Sequence, residues 1–275
     1  MAQQFPVVKI GTTKRALYPK ADPLRPFPKS IENRLGHKGK KQRIVFSSNK
    51  TSSQHIDLIK NKFTEVSVLV KKNAKANLVL LGQANANSYA LGLINITIEA
   101  GAIFHVVEVV SGGARIETHI VMNIVGRGAM VQYSGMFHGQ KKAHQALHIV
   151  LRHQAPDTQG DIFIKGVFED ESKGIISGLI KIDKAAQKTN SYFKDDVLLF
   201  DGAMAESVPT LEIEADDVKA SHGSTTARVN EDQIFYLTSR GVNGQQARRM
   251  IISGFFESFL KKARVKLPKK IKYFA

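Results

Sequence analysis

The 275-residue sequence predicts an all-β body followed by a short α-helical segment, and three observations carry that expectation. From about residue 63, short aliphatic runs rich in Val and Ile alternate with small or polar residues, lengths and β-branching that suit strands. Small-residue corners followed by an apolar position recur as Ala100-Gly101-Ala102-Ile103, Arg127-Gly128-Ala129-Met130 and Asp201-Gly202-Ala203-Met204. Near Asn230 the hydrophobic period changes from two to 3.6.

In chain order, residues 1–60 read as an irregular Pro-rich basic arm. Five of the eight prolines (Pro6, Pro19, Pro23, Pro26, Pro28) fall in its first half, and each removes a backbone donor. Residues 61–228 form the β body, with expected strands at Val66–Val70, Leu78–Leu81, Leu93–Ile98, Ile103–Val110, Ile116–Val125, Leu147–Leu151, Ile162–Phe168, Ile175–Ile182, Val197–Phe200 and Leu211–Ile213. The first two corner glycines stand 27 residues apart, a spacing that suits one coil of a parallel β-helix. The period is irregular, so the pattern alone supports a β-sandwich equally well. Residues 229–275 form a helical segment with a basic tail. Asn230 with Gln233 makes a variant capping box, Ile234, Phe235 and Leu237 follow, and Gly241 can close the helix in the left-handed conformation. A second helix from about Gly244 to Ala263 aligns Ala247, Met250, Ile251, Gly254, Phe255, Ser258 and Phe259 on one face.

Composition narrows the functional classes. There is no cysteine, so disulfides, thiolate metal ligands and Cys nucleophiles are excluded for this chain acting alone. No apolar run approaches the roughly 20 residues of a bilayer span, and the start lacks a secretory apolar stretch. A cytoplasmic protein without membrane partners is expected. The net charge of +16 sits at the ends: residues 1–50 carry 12 Lys/Arg against Asp22 and Glu32, and residues 261–275 carry seven Lys/Arg and no acid. Basic tails fit a nucleic-acid or membrane-surface module, but they fit solvated termini better. Trp and interleaved aromatics for stacking bases are missing.

Motifs for catalysis are sparse. Ser111-Gly112-Gly113 and Gly126-Arg127-Gly128 lack the strand-to-helix context and the Lys-Ser/Thr of phosphate loops. His144 and His148 could share a face as metal ligands, yet no carboxylate lies at a matching spacing, and ordinary surface or corner histidines are the favoured reading. The densest polar stretch runs from Glu212 to Thr226. Its acids and Lys219 could serve a β-helix lyase. A turn in which Asp216 and Asp217 satisfy backbone donors and Lys219 neutralises them accounts for the stretch more simply.

Pro209 to Gly223 (PTLEIEADDVKASHG) is similar to the signature segment of the SufB/SufD family of iron–sulfur cluster assembly scaffolds. Glu231 to Gly241 resembles the family's first terminal helix, and Ala247 to Phe256 the helix after it. His153 to Thr158, Lys165-Gly166-Val167 and Ala186 to Asn190 also look like family markers. The resemblance implies a right-handed parallel β-helix with a C-terminal α-helical segment, and a non-catalytic scaffold role in the SUF system. It implies pairing with a SufB-like chain, or else a homodimer, and docking of a SufC-type ABC ATPase, for which Phe255, Phe256 and Phe259 are the candidates. His222 aligns with the histidine that SufD contributes as a cluster ligand at the interface of the two scaffold chains. Ser221 and Gly223 flank it where SufB has glutamates, so the likeness is to SufD. No cofactor is expected to bind stably to this chain alone, and a nascent iron–sulfur cluster would rest mainly on the partner.

Overall fold

Ten-residue stretches with every second side chain buried fold as strands that stack in parallel, each on the strand two elements away. The computed structural model describes residues 7–10, 13–16, 40–47, 51–58, 63–84, 88–112 and 115–262. The described strands are β1 Val7–Ile10, β2 Thr13–Ala16, β3 Lys40–Phe46, β4 Ser52–Asp57, β5 Phe63–Val70, β6 Lys75–Ala84, β7 Tyr89–Ile98, β8 Ile103–Gly112, β9 Arg115–Ile124, β10 Met130–Gly139, β11 His144–His153, β12 Gln159–Phe168, β13 Lys173–Ile182, β14 Thr189–Leu199, β15 Met204–Ile213 and β16 Val218–Arg228.

The chain divides into two units, residues 1–37 and 38–275. In the first, β1 and β2 pair as an antiparallel hairpin with Val7 opposite Ala16. The prolines of the expected arm lie outside the described residues, as does the basic tail beyond Lys262. In the second unit, odd-numbered strands β3 to β15 form one seven-stranded sheet and even-numbered strands β4 to β16 another. Successive strands alternate between the sheets, which makes a parallel β-solenoid. The apolar pattern that suited solenoid and sandwich alike is therefore a solenoid's, as the family resemblance implied.

Inward-facing Ile96, Phe104, Ile120, Leu147, Ile162 and Ile180 belong to one continuous core and are almost wholly buried. Each such side chain contributes about 1.5–3 kcal/mol of transfer free energy. Several polar groups in this interior pair with one another. Tyr133 donates to Oε2 of Glu108 at 2.5 Å, and His153 bonds Thr158 (2.8 Å) and Ser191 (3.2 Å).

The corners repeat one backbone device. Asn73, Gly101, Gly128, Asp157 and Lys188 occupy equivalent positions with φ between 57° and 70°. The N–H of each donates to a carbonyl of the next coil's corner: Ala100, Arg127, Pro156, Gln187 and Asp217 respectively. The opposite corners place Lys141, Asp170 and Asp201 in the same left-handed region, so in the Asp201-Gly202 pair the aspartate, not the glycine, makes the turn. Gly126 is required for close approach, because a Cβ there would lie 1.8 Å from the backbone nitrogen of Ala100. From rung to rung the register advances from Ile103 to Met130 to Gln159 to Asn190, which is the irregular period seen in the sequence.

The sheets begin at Lys40, within the segment read as arm. β3 and β4 keep only Ile44, Phe46 and Ile56 buried, and their polar outward residues hide the pattern. β10 was likewise not anticipated, because Ser134 and Gly135 interrupt its apolar run.

Two helices follow the solenoid: α1 Glu231–Ser239 and α2 Gly244–Lys262. Asn230 caps α1 by accepting from the Asp232 N–H at 2.9 Å, and Gly241 adopts φ 86° as expected. α2 lies on the outer face of the even-numbered sheet, where Ile252, Phe256 and Phe259 pack with Val107, Val109, Met136, Val167 and Phe200. The buried face is rotated from the expected one: Met250 is exposed, as are Gly254 and Ser258, and Ile252 and Phe256 take their place. Among the described residues no helix is long and apolar enough to cross a membrane.

Candidate functional site

The signature segment forms the last coil. β15 pairs only with β13 and β16 only with β14, so each ends its sheet. The turn between them carries Asp216 and Asp217, but its hydrogen bonds run through the backbone of Asp217 and not through acid side chains accepting from backbone donors. Asp217 accepts from the Lys188 N–H through its backbone carbonyl and donates its own N–H to Oε1 of Gln187 at 2.9 Å. Lys181 of β13, not Lys219, stands between Glu212 (3.2 Å) and Glu214 (3.3 Å), and its hydrogen bond to Glu212 raises its pKa.

Register fixes where the β16 side chains face. Val218 and Ala220 pack against the interior core, and His222 lies beside Phe193, itself a core residue. His222 therefore belongs to the inward row, yet it is exposed, because no further coil covers it. Ser224, next along that row, donates to Oδ2 of Asp195 at 2.9 Å. Asp195 is fully buried, and burial raises its pKa against the opposing hydrogen bonds. Further along, Arg228 donates to the carbonyls of Asp201 and Ala203, corner acceptors that a following coil would otherwise satisfy. On β15, Pro209 sits in mid-strand, where the missing N–H is tolerated because the strand is an edge. The helices do not cap this end, since α2 runs back over the even-numbered sheet.

The three phenylalanines part company. Phe256 and Phe259 are buried against the sheet and serve as core, while Phe255 is half-buried with the Lys165 ammonium 4.1 Å from its ring centroid. Exposed large apolar side chains on the helices are Phe235 (72% exposed), Tyr236 (58%), Met250 (54%) and Leu260 (46%). α1 buries no residue, and the aromatic doublet Phe235-Tyr236 was the available signal.

His144 and His148 are on β11, where His148 is buried and neither is a corner residue. His148 stacks on His119 of β9, and Glu117 lies beside them, a carboxylate that strand pairing supplies and sequence spacing did not. Burial, with the like charge of His119, lowers the pKa of His148 to about 3. Burial favours neutral Glu117, but the His119 hydrogen bond and neighbouring positive charge outweigh it and lower its pKa.

The chain is similar to known iron–sulfur cluster assembly proteins. The family described as SUF system FeS cluster assembly, SufBD core domain, matches residues 38–255. An iron–sulfur cluster assembly SufBD family protein of Mycobacterium tuberculosis is 28% identical over 209 residues, 73% of this chain and 53% of that protein. Its Mycobacterium leprae counterpart is 29% identical over 173 residues, covering 60% and 44%. Escherichia coli iron–sulfur cluster assembly protein SufD is 45% identical over 93 residues, 33% of this chain and 22% of that protein. The chain spans about half the length of the mycobacterial relatives it matches.

Proposed function

The chain belongs to the SufBD family of iron–sulfur cluster assembly proteins, and on that premise we propose that it is a non-catalytic, SufD-like scaffold subunit in the cytoplasm, paired with a SufB-like chain. The observation that carries this reading is the open last coil. β15 and β16 end both sheets together, their inward row holds exposed His222, and neither helix covers them. Strands of a partner added at that end would extend both ladders and enclose His222 between two chains. Neutral imidazole is a suitable iron ligand, and a site completed across an interface needs one such group from this side. With no cysteine in the chain, thiolate ligands and acceptor sulfur come from the partner.

The docking face for a SufC-type ATPase is best supported at exposed Phe235, Tyr236 and Met250 of the helical segment, which also carries half-buried Phe255. Phe256 and Phe259 hold α2 in place beneath.

Co-expression of the chain with the SufB-like and ATPase proteins of its source tests the reading. We expect a stable three-protein complex whose ATPase rate depends on this chain, and His222→Ala lowering cluster yield several-fold while leaving the complex intact. Failure to associate with or without ATP, or an unchanged cluster yield, would overturn it.

A further inference from the structure

On the outer face of the odd-numbered sheet, three metal-ligating side chains converge far from the last coil. Glu117 and His119 are two residues apart on β9 and so share a face, and His148 on β11 is the lateral neighbour of His119 in the parallel register. The alternate residues Ile116, Ile120 and Leu147 belong to the interior core, which sets the three ligands on the outer face. All are buried, at 4%, 2% and 3% exposure. Oε1 of Glu117 lies 2.7 Å from Nε2 of His119, and the two imidazole rings stack with centroids 4.6 Å apart. One ligand atom from each of the three lies within 4.8 Å of the others.

The lateral neighbours are apolar except Ser177, which lies beside His148, and Arg115 is two residues from Glu117 on the same strand. Leu91 and Leu93 on β7 lie beside Glu117 and His119, and Ala146 is the other lateral neighbour of Glu117. Collecting a carboxylate and two imidazoles in such a place carries a desolvation cost that a bound cation would offset. We propose that Glu117, His119 and His148 bind a divalent first-row transition ion of the ferrous iron or zinc class.

Two imidazoles and one carboxylate match the donor preference of those ions, whereas calcium and magnesium take all-oxygen sets. The ligands project from neighbouring strands of a continuous ladder, so their backbone positions are fixed. With metal–ligand distances of about 2.1 Å, tetrahedral ligand atoms stand about 3.4 Å apart, and side-chain rotation alone can draw the three groups in to that spacing. The site is separate from His222 and stands or falls independently of the scaffold reading.

The test is anaerobic titration of the full-length chain, carrying no histidine tag, with Co²⁺ as a coloured probe, followed by competition with Zn²⁺ and Fe²⁺. We expect one equivalent bound per chain, d–d absorption bands, and an X-ray absorption spectrum with two imidazole ligands. Glu117→Gln and His148→Gln should each weaken binding at least about tenfold, and His222→Ala should leave it unchanged. A metal-dependent rise in the wild-type melting temperature should disappear in both site variants. Absence of stoichiometric binding in the wild type, a bound ion with fewer than two imidazoles, or binding that survives both site substitutions would each overturn the proposal. The two wild-type measurements decide the matter even if a variant fails to fold.

Discussion

The middle coils and the last coil share one backbone ladder but fill their inward rows in opposite ways. Around β8 and β9 the row reads Phe104, Val106, Ile120 and Met122, all buried to 0% exposure. On β16 the equivalent row runs through His222, Ser224, Thr226 and Arg228, all exposed. Hydrogen bonding does not distinguish the two, since β16 pairs along its full length with β14. What differs is whether a further coil lies above. An inward position with a coil on each side is apolar or, as at Glu108 and Asp195, hydrogen-bonded, because an unpaired polar group there is costly, whereas one with a single neighbour can carry exposed imidazole, hydroxyl and guanidinium. A polar inward row thus marks the end of the stack. The same row also holds His222, the imidazole proposed above as a ligand at an interface.

Substitutions across the two regions can break this contrast. Phe104→Ala in the middle should cost about 3–5 kcal/mol, while His222→Ala should stay within about 0.5 kcal/mol of wild type. Urea unfolding midpoints at constant slope measure both, and equal losses would show that the last coil is packed like the rest.

A smaller effect concerns Glu108, a buried acid in the inward row of the middle coils. Burial, against the Tyr133 hydrogen bond, raises Glu108 from 4.5 to about 7. The folded state therefore holds a proton that the unfolded state has released. Stability from this group is fully present below pH 4.5 and falls as pH rises through about 7, by about 3 kcal/mol in total. In Glu108→Gln that decline should be absent, which unfolding curves at pH 4.5 and pH 7.5 can detect.

The smallest effect lies at the corners. Lys141 carries a side chain at φ 58°, so Lys141→Gly should gain about 0.5 kcal/mol, read as a small rise in melting temperature. A loss instead would mean that its side chain, and not the backbone, holds that turn.

The legible parts of the fold were those where one residue decides one torsion or one face. Gly101 and Gly128 marked turns, Asn230 and Gly241 bounded α1, and the Ile/Val runs marked strands. Opaque parts were those where the neighbouring coil decides. Asn73, Asp157 and Lys188 adopt the glycine-like conformation because the N–H of each finds a carbonyl 27 to 30 residues on, which no local pattern announces. For the same reason Glu117, His119 and His148 were unreadable as a group: their adjacency exists only in the register of β9 on β11. His222 was found by resemblance, and its exposure follows from its place on the final strand. The rotation of the α2 face escaped notice because Met250 and Ile252 are alike in hydrophobicity and only the sheet selects between them.

The rung spacing also bears on how the molecule assembles in time. Whatever the number of coils, each strand finds its hydrogen-bonding partner one coil away in sequence, as Ile103 finds Met130 and Met130 finds Gln159. Loop-closure entropy is therefore set by the length of a coil, not of the chain. Once a first pair of rungs has formed, later coils add at nearly constant entropic cost, so growth is expected to propagate from neighbour to neighbour. Propagation stops at β16, which meets the same closure cost as the rungs before it and presents its free edge to whatever chain arrives next.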